Sequence, residues 1–286
     1  MSVKFLSGCG IFTALLVVAG PLAIAHPDPR EALQAIDENL ASSPDDPQLI
    51  LNKVDVYLSI GDITRAQQAI EQAQTLNPKT PGLGYYQARV LLGLRRLDQT
   101  DNARKRLEKF LIDEPGHADA WRLLSKLRSD AGDFDAAIDA ASHVLLTDPK
   151  QLSPDDYTKA AALQLHLHQT GADDQAITFL NQGLARFGCL KGLQYMACDI
   201  EARLCRHDAA LQRLATLSAR FRPQVEFEIK RAELLVAAGR PKEAVQAYDN
   251  AVAILDSYPK ERQSSEIFKQ TRASFIALRD KSSGDG

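Results

Sequence analysis

The sequence predicts an all-α protein, a right-handed α-solenoid of stacked helix–turn–helix units. Three observations carry this reading. The first is composition: 40 Ala and 38 Leu stand against 11 Val and 15 Ile, an excess of strong helix formers over β-branched residues. The second is an alanine ladder, Ala32, Ala66, Ala103, Ala137, Ala176, Ala210 and Ala244, with spacings of 34, 37, 34, 39, 34 and 34 residues. The third is a proline ladder in the same register, Pro44, Pro78, Pro115 and Pro149. With 45% apolar and 25% charged residues over 286 positions, the chain has material for a large core. Its net charge of −3 provides no basic field for nucleic acid.

In chain order, residues 1–25 come first and lie outside the predicted fold. Lys4 precedes an apolar stretch from Ile11 to Ile24, and Ala23-Ile24-Ala25 stands before His26. This is the layout of a cleaved secretory signal peptide. Gly10, Gly20 and Pro21 interrupt the apolar run, which is short for a membrane span. Leu6-Ser7-Gly8-Cys9 looks like a lipoprotein box, but the apolar run follows the cysteine instead of preceding it, so lipidation is not expected. Cleavage after Ala25 is expected to leave a periplasmic or extracellular chain that begins at His26 and has no membrane span.

Each repeat reads as helix, turn, helix. Leu49–Ile60 has helical apolar spacing, Gly61-Asp62 makes the turn, and Ile63–Leu76 resumes the pattern before Asn77-Pro78. A small residue on the ladder lets two helices approach closely. Gly61, Gly132, Gly171 and Gly239, each five residues before a ladder alanine, supply a left-handed turn. The closing proline cannot continue the second helix.

On these residues the chain resembles the tetratricopeptide repeat family. Ala118–Pro149 holds Trp121, Leu124, Gly132, Ala137 and Pro149 where that family has its tryptophan, leucine, glycine, alanine and proline. Pro47–Pro78 follows with Tyr57, Gly61, Ala66, Ala73 and Pro78, and Val225–Asp256 with Ala232, Gly239, Ala244, Tyr248 and Ala251. The expected organisation is an array over 26–259: a lone helix 29–42, then units at about 47–78, 81–115, 118–149, 157–188, 191–222 and 225–256. Extra residues near Arg95–Thr100 and at Lys150–Asp156 predict longer loops. The unit 157–188 has Gln164 at the small position, and the unit 191–222 has Cys205 at the turn glycine. Asp28-Pro29-Arg30-Glu31 is a helix start, and it opens a second helix without its first. Residues 260–286 read as a capping helix over Glu261–Lys281, with Ile267, Phe268, Phe275 and Leu278 on one side, followed by a disordered tail.

Chemistry is sparse. No phosphate-binding loop, dinucleotide fingerprint, zincin or nucleophile-elbow motif occurs, so neither a cofactor nor a catalytic residue is expected. Cys189, Cys198 and Cys205 remain after cleavage, an odd number best read as buried small hydrophobes. His166 and His168 diverge on a helix and make no metal pair. His26 would offer an amino group and an imidazole together, a chelate suited to copper, which supports a second reading as a periplasmic copper-handling protein.

The resemblance implies a non-enzymatic interaction scaffold of the cell envelope that binds a protein or peptide segment in a concave groove lined by its first helices. Family groove positions fall on Leu51 and Asp55, on Tyr85, Tyr86 and Arg89, and on Arg122 and Lys126. Further along they fall on Leu165 and His168, on Tyr195 and Asp199, and on Ile229 and Glu233. The family's clamp for a C-terminal carboxylate is absent, since Leu51, Asp55, Tyr86, Asp119 and Leu123 hold those positions. Tyr85, Tyr86, Arg89, Arg122, Lys126 and Tyr195 form the expected binding surface, suited to an acidic segment with an apolar anchor.

Overall fold

The computed structural model describes residues 28–94, 97–167 and 169–284, so the expected signal peptide, His26 and His168 lie outside the described residues. The described chain is helical throughout, with no strand, as an α-solenoid requires. It divides into two compact units at Leu83–Gly84.

The first unit holds α1 (Pro29–Ser42), α2 (Pro47–Ser59) and α3 (Ile63–Leu76). Asp28 and Asp46 cap α1 and α2, each ahead of a proline at the first helical position, where the missing N–H costs nothing. Asp62 caps α3 by accepting from the Arg65 N–H at 2.9 Å. Helices α1 and α3 both pack on α2.

The second unit holds α4 (Leu83–Gly93), α5 (Leu97–Asp113), α6 (Ala118–Asp130) and α7 (Phe134–Leu145). A short 3-10 turn (Pro149–Gln151) leads to α8 (Pro154–His166) and α9 (Ala172–Phe187). Then come α10 (Lys191–Arg203), α11 (His207–Arg220), α12 (Val225–Ala237), α13 (Pro241–Asp256), α14 (Lys260–Gln263) and α15 (Glu266–Gly284). From α5 to α13 each helix packs on the next, and α15 packs on α13.

The alanine ladder is the line of closest helix crossing. Ala66, Ala103, Ala137, Ala176, Ala210 and Ala244 have no exposed surface. The approach is close enough for a side chain on the first helix to reach the ladder carbonyl. Ser125 Oγ donates to the Ala137 carbonyl at 2.8 Å, and Cys198 Sγ stands 3.6 Å from the Ala210 carbonyl. Close approach also governs Gly84, where a Cβ would lie 2.7 Å from the Phe110 ring.

The turns repeat one hydrogen-bond scheme. The N–H of Asp62, Asp133, Arg206 and Arg240 reaches back to the carbonyl of Tyr57, Arg128, Glu201 and Leu235 at 2.8–2.9 Å. This scheme requires a left-handed residue just before each donor. Gly132 has φ +78°, and Cys205 takes the same role at φ +56°, the one non-glycine residue with positive φ among those described.

Several expectations change. Of the extra residues near Arg95–Thr100, those from Leu97 onward belong to helix: α5 begins at Leu97 and gains a turn at its start. The fourth unit begins at Pro154 and not at 157, because Ser153 and Asp156 form a capping box. The small position of that unit is therefore the fully buried Ala161 and not Gln164; the longer connection expected before this unit is present, with α7 ending at Leu145 and α8 beginning at Pro154, and part of the added length falls after α8, which ends at His166, ahead of α9 at Ala172. The terminal helix is broken at Ser264-Ser265, and Ser265 Oγ accepts from the Phe268 N–H at 3.3 Å to start α15, which continues through Gly284 where a tail was expected. Of the four apolar residues expected on its packed side, Phe268 is buried, whereas Ile267 is 79% and Leu278 42% exposed.

Polar groups also enter the core. Glu201, 6% exposed, receives two hydrogen bonds from the Arg213 guanidinium at 2.7 and 2.8 Å. Arg213 also donates to Gln194 and Asn181, which ties α9, α10 and α11 together. Of the cysteines, Cys198 is buried, and burial lifts its thiol to about 11; Cys189 is partly buried and Cys205 exposed, so the expectation of buried small hydrophobes fails at Cys205, which the turn holds outside.

Ala137→Leu should lower stability by about 1–3 kcal/mol, since the added branch has to enter the closest helix crossing; thermal melts of the variant check this. Cys205→Gly should raise stability by about 0.5–1 kcal/mol by relieving a left-handed non-glycine residue. Its melting temperature should therefore rise, and an unchanged or lower value would show that the thiol contributes more than the backbone loses.

Candidate functional site

The residues expected to bind stand at groove positions of the first helices, and the structure separates them. On α4, Tyr85, Tyr86 and Arg89 form one assembly. The two phenol rings meet edge to face at 5.4 Å, and the Arg89 guanidinium lies 5.4 Å and 5.8 Å from their centroids. The α-helical spacing i, i+1, i+4 places all three on one side of α4. All three are half-buried.

His117 extends this assembly, and the sequence reading missed it. Its ring lies 4.8 Å from Tyr85 and 5.2 Å from Phe110, linking α4, α5 and the start of α6. Its Nδ1 accepts from the Ala120 N–H at 3.1 Å and caps α6. The available signal was position: His117 directly precedes the helix that opens the best-matched repeat. Burial pushes its imidazole below the ordinary value, against the pull of Asp119 and Glu114, so the neutral ring that can accept is favoured.

Arg122 belongs to the framework. Its Nε and Nη2 donate to Asp156 at 2.7 and 2.9 Å, and it also binds Asp119 at 2.7 Å and the Gln151 carbonyl. Burial opposes ionisation of Asp156. The Arg122 guanidinium and the Ser153 N–H outweigh that penalty and hold its carboxyl below the usual range. Stripping one partner from such a buried pair costs about 3–5 kcal/mol, so Arg122 locks α6 to the start of α8. Lys126 is exposed and pairs with Asp130 one turn along at 2.5 Å, which contributes little.

Tyr195 packs against Phe227 at 5.7 Å, with the Lys191 ammonium over both rings. Its hydroxyl is shielded and has no hydrogen-bond partner among the described residues, and burial, then Glu226, raises its pKa. The other groove positions fare unevenly. Leu51 is fully buried and removed from any surface. Leu165 packs against the core between α8 and α10, Asp199 pairs with Lys230 at 2.7 Å, Ile229 packs near Leu235 and Tyr248, and Glu233 is exposed. His166 stacks on Phe134 at 4.8 Å. Among the described residues, no group of three or more His, Cys, Asp or Glu is placed to hold a metal ion, and no helix is long and apolar enough to cross a membrane.

This arrangement, paired helices that cross along a line of buried alanines and pack in succession, defines a helical-repeat solenoid. Family models described as tetratricopeptide repeat match residues 47–80, 94–164 and 195–261, and the chain belongs to the tetratricopeptide repeat family. No curated protein sequence matches it. Among solved structures it is similar to the C-terminal part of a TPR repeat-containing protein from Cytophaga hutchinsonii. That match has a TM-score of 0.55 and 14% identity, and covers 81% of this chain and 92% of the other. It is also similar to PilW, described as a widely conserved type IV pilus biogenesis factor, with a TM-score of 0.50, 20% identity, and 70% and 90% coverage. At these identities the likeness is one of fold.

The His117 cap makes the α6 start acid-sensitive. Its folded pKa is depressed, so the stability it supports is full above the unfolded value of about 6.5 and is lost as pH falls through the folded value. His117→Asn keeps a cap acceptor without titrating in this range. Thermal melts between about pH 8 and about pH 5 should show a steeper loss for the parent than for the variant.

Proposed function

We propose that this chain is a non-enzymatic interaction scaffold of the cell envelope. It binds a protein segment along its first helices and anchors that segment on the Tyr85, Tyr86 and Arg89 face of α4. The observation that carries this reading is the Arg89 guanidinium poised over two half-buried tyrosine rings. Aromatic residues and arginine are the residue types enriched at binding hot spots, and the rigid rings bury large area with little entropy loss. An acidic segment with an apolar or aromatic residue suits this face, the acid against the guanidinium and the apolar group against the rings. Helix stacking in a repeat array leaves such side chains outward on successive first helices. The envelope setting rests on the residue pattern of 1–25, and absence of catalysis on the lack of any nucleophile, base and oxyanion arrangement in the sequence.

The test compares partner recovery from envelope extract by the parent with that by the variant Tyr85→Ala, Tyr86→Ala, Arg89→Glu, with Lys126→Glu as the control. The partner should be lost from the triple variant at unchanged helicity and retained by the control. Equal recovery by all three would move the binding surface off α4. The recovered parent should begin at His26-Pro27; an intact Met1 would refute export by cleavage.

A further inference from the structure

The α4 face is braced by His117. Gly84, directly before Tyr85, lies so close to Phe110 that a Cβ would stand 2.7 Å from that ring. The His117 ring closes this cluster, 4.8 Å from Tyr85 and 5.2 Å from Phe110. The backbone of His117 is held as well. Its N–H donates to the Glu114 carbonyl at 3.2 Å, and its carbonyl accepts from the N–H groups of Ala120 and Trp121 at 3.2 Å. Any rearrangement at this residue therefore falls first on the side chain.

That side chain is tied to α6 through the Nδ1 lone pair, which accepts from the Ala120 N–H at 3.1 Å. Only the neutral imidazole has this lone pair, since both ring nitrogens of the imidazolium are donors. A proton on Nδ1 would face the Ala120 N–H, and the cation would stand against the positive end of α6. The charged ring has to leave the cap. Leaving the cap takes it off Tyr85 and Phe110, because one ring makes all three contacts. The surrounding charges act in both directions. Burial disfavours the imidazolium and outweighs Asp119, in the first turn of α6, and Glu114, ahead of it. Asp119 is itself engaged by Arg122 at 2.7 Å. From α4 the facing groups are the Tyr85 phenol and, resting on that ring, the Arg89 guanidinium; from α5 the facing group is the apolar Phe110.

We propose that His117 is a proton-operated latch on the Tyr85, Tyr86 and Arg89 face: the neutral ring holds that face in place for a partner, and protonation releases it. The latch rests on α4 being the binding surface and adds control of that surface by acid. It is closed above the unfolded histidine value of about 6.5 and opens as pH falls through the lower value of the folded ring. Tyr85 carries the coupling, because it touches His117 and also holds Tyr86 at its ring and Arg89 over its face. By linkage, a partner seated on the ordered α4 face keeps His117 neutral to lower pH.

Backbone amide NMR of the full chain between about pH 8 and about pH 5 tests this. In the parent, the Ala120 and Tyr85 amides should shift together with one midpoint, below about 6.5. In His117→Asn, which keeps a cap acceptor without titrating, both should stay level. Asp119→Asn removes an anion that favours the charged ring and leaves the ring in place, so the common midpoint should move to lower pH. Circular dichroism checks that both variants keep their helicity. Partner recovery from envelope extract should fall in acid for the parent and hold its level for His117→Asn. A Tyr85 amide that stays level in the parent, or titrates unchanged in His117→Asn, overturns the latch. So does an equal acid loss of partner by parent and His117→Asn while the α4 triple variant recovers none. Partner retained by the triple variant instead refutes α4 as the binding surface, and the Tyr85 titration still decides the latch.

Discussion

The structure depends on one close approach, the crossing of paired helices at the ladder alanine. An alanine with no exposed surface, repeated at Ala66, Ala103, Ala137, Ala176, Ala210 and Ala244, sets how near two helix axes come. The neighbouring first-helix residue has to be small for the same reason, and Ser125 and Cys198 show this by reaching the carbonyl across the crossing. The rest follows from that distance. The turn between the helices has to be short, so it needs a left-handed residue. The next helix packs on the second helix of that pair and presents large apolar side chains such as Leu124, Leu193 and Phe227, all buried. Interiors are packed too densely for a larger residue on the ladder to be absorbed without displacement.

Charge then divides into framework and surface. Arg122 and Arg213 are arginines on solenoid helices, yet each ends on a carboxylate with little exposure, Asp156 and Glu201 respectively. In both cases the pair joins different helices, so the ion pair sets the position of one helix against the next and is unavailable to a partner. Arg89 differs in its contacts, since its guanidinium rests on the faces of two tyrosines.

Much of the fold was legible because repeats write the same constraint several times. A ladder alanine, a turn glycine and a closing proline each have a steric cause, and their common register identified helix pairs before any contact was known. The candidate site was less legible. Tyr85, Tyr86 and Arg89 could be placed on one helix face by spacing, because helical geometry is local. Arg122 could not be assigned, since its partner Asp156 lies 34 residues away and becomes adjacent only when α8 docks. Leu51, placed at a groove position by the resemblance, is fully buried.

By itself the sequence determined the helical class, the repeat length, the turn chemistry and the line of close contact, because each rests on interactions within about 40 residues and on residue size. Only the tertiary structure decided how inserted residues are absorbed. Those before Ala103 became helix because α5 could extend by a turn, and Ser153 with Asp156 started α8 early because Arg122 was there to hold the carboxylate. It alone decided which polar side chains are consumed by the framework. Those outcomes turn on partners brought together from different helices, and on the match of size and charge where they meet.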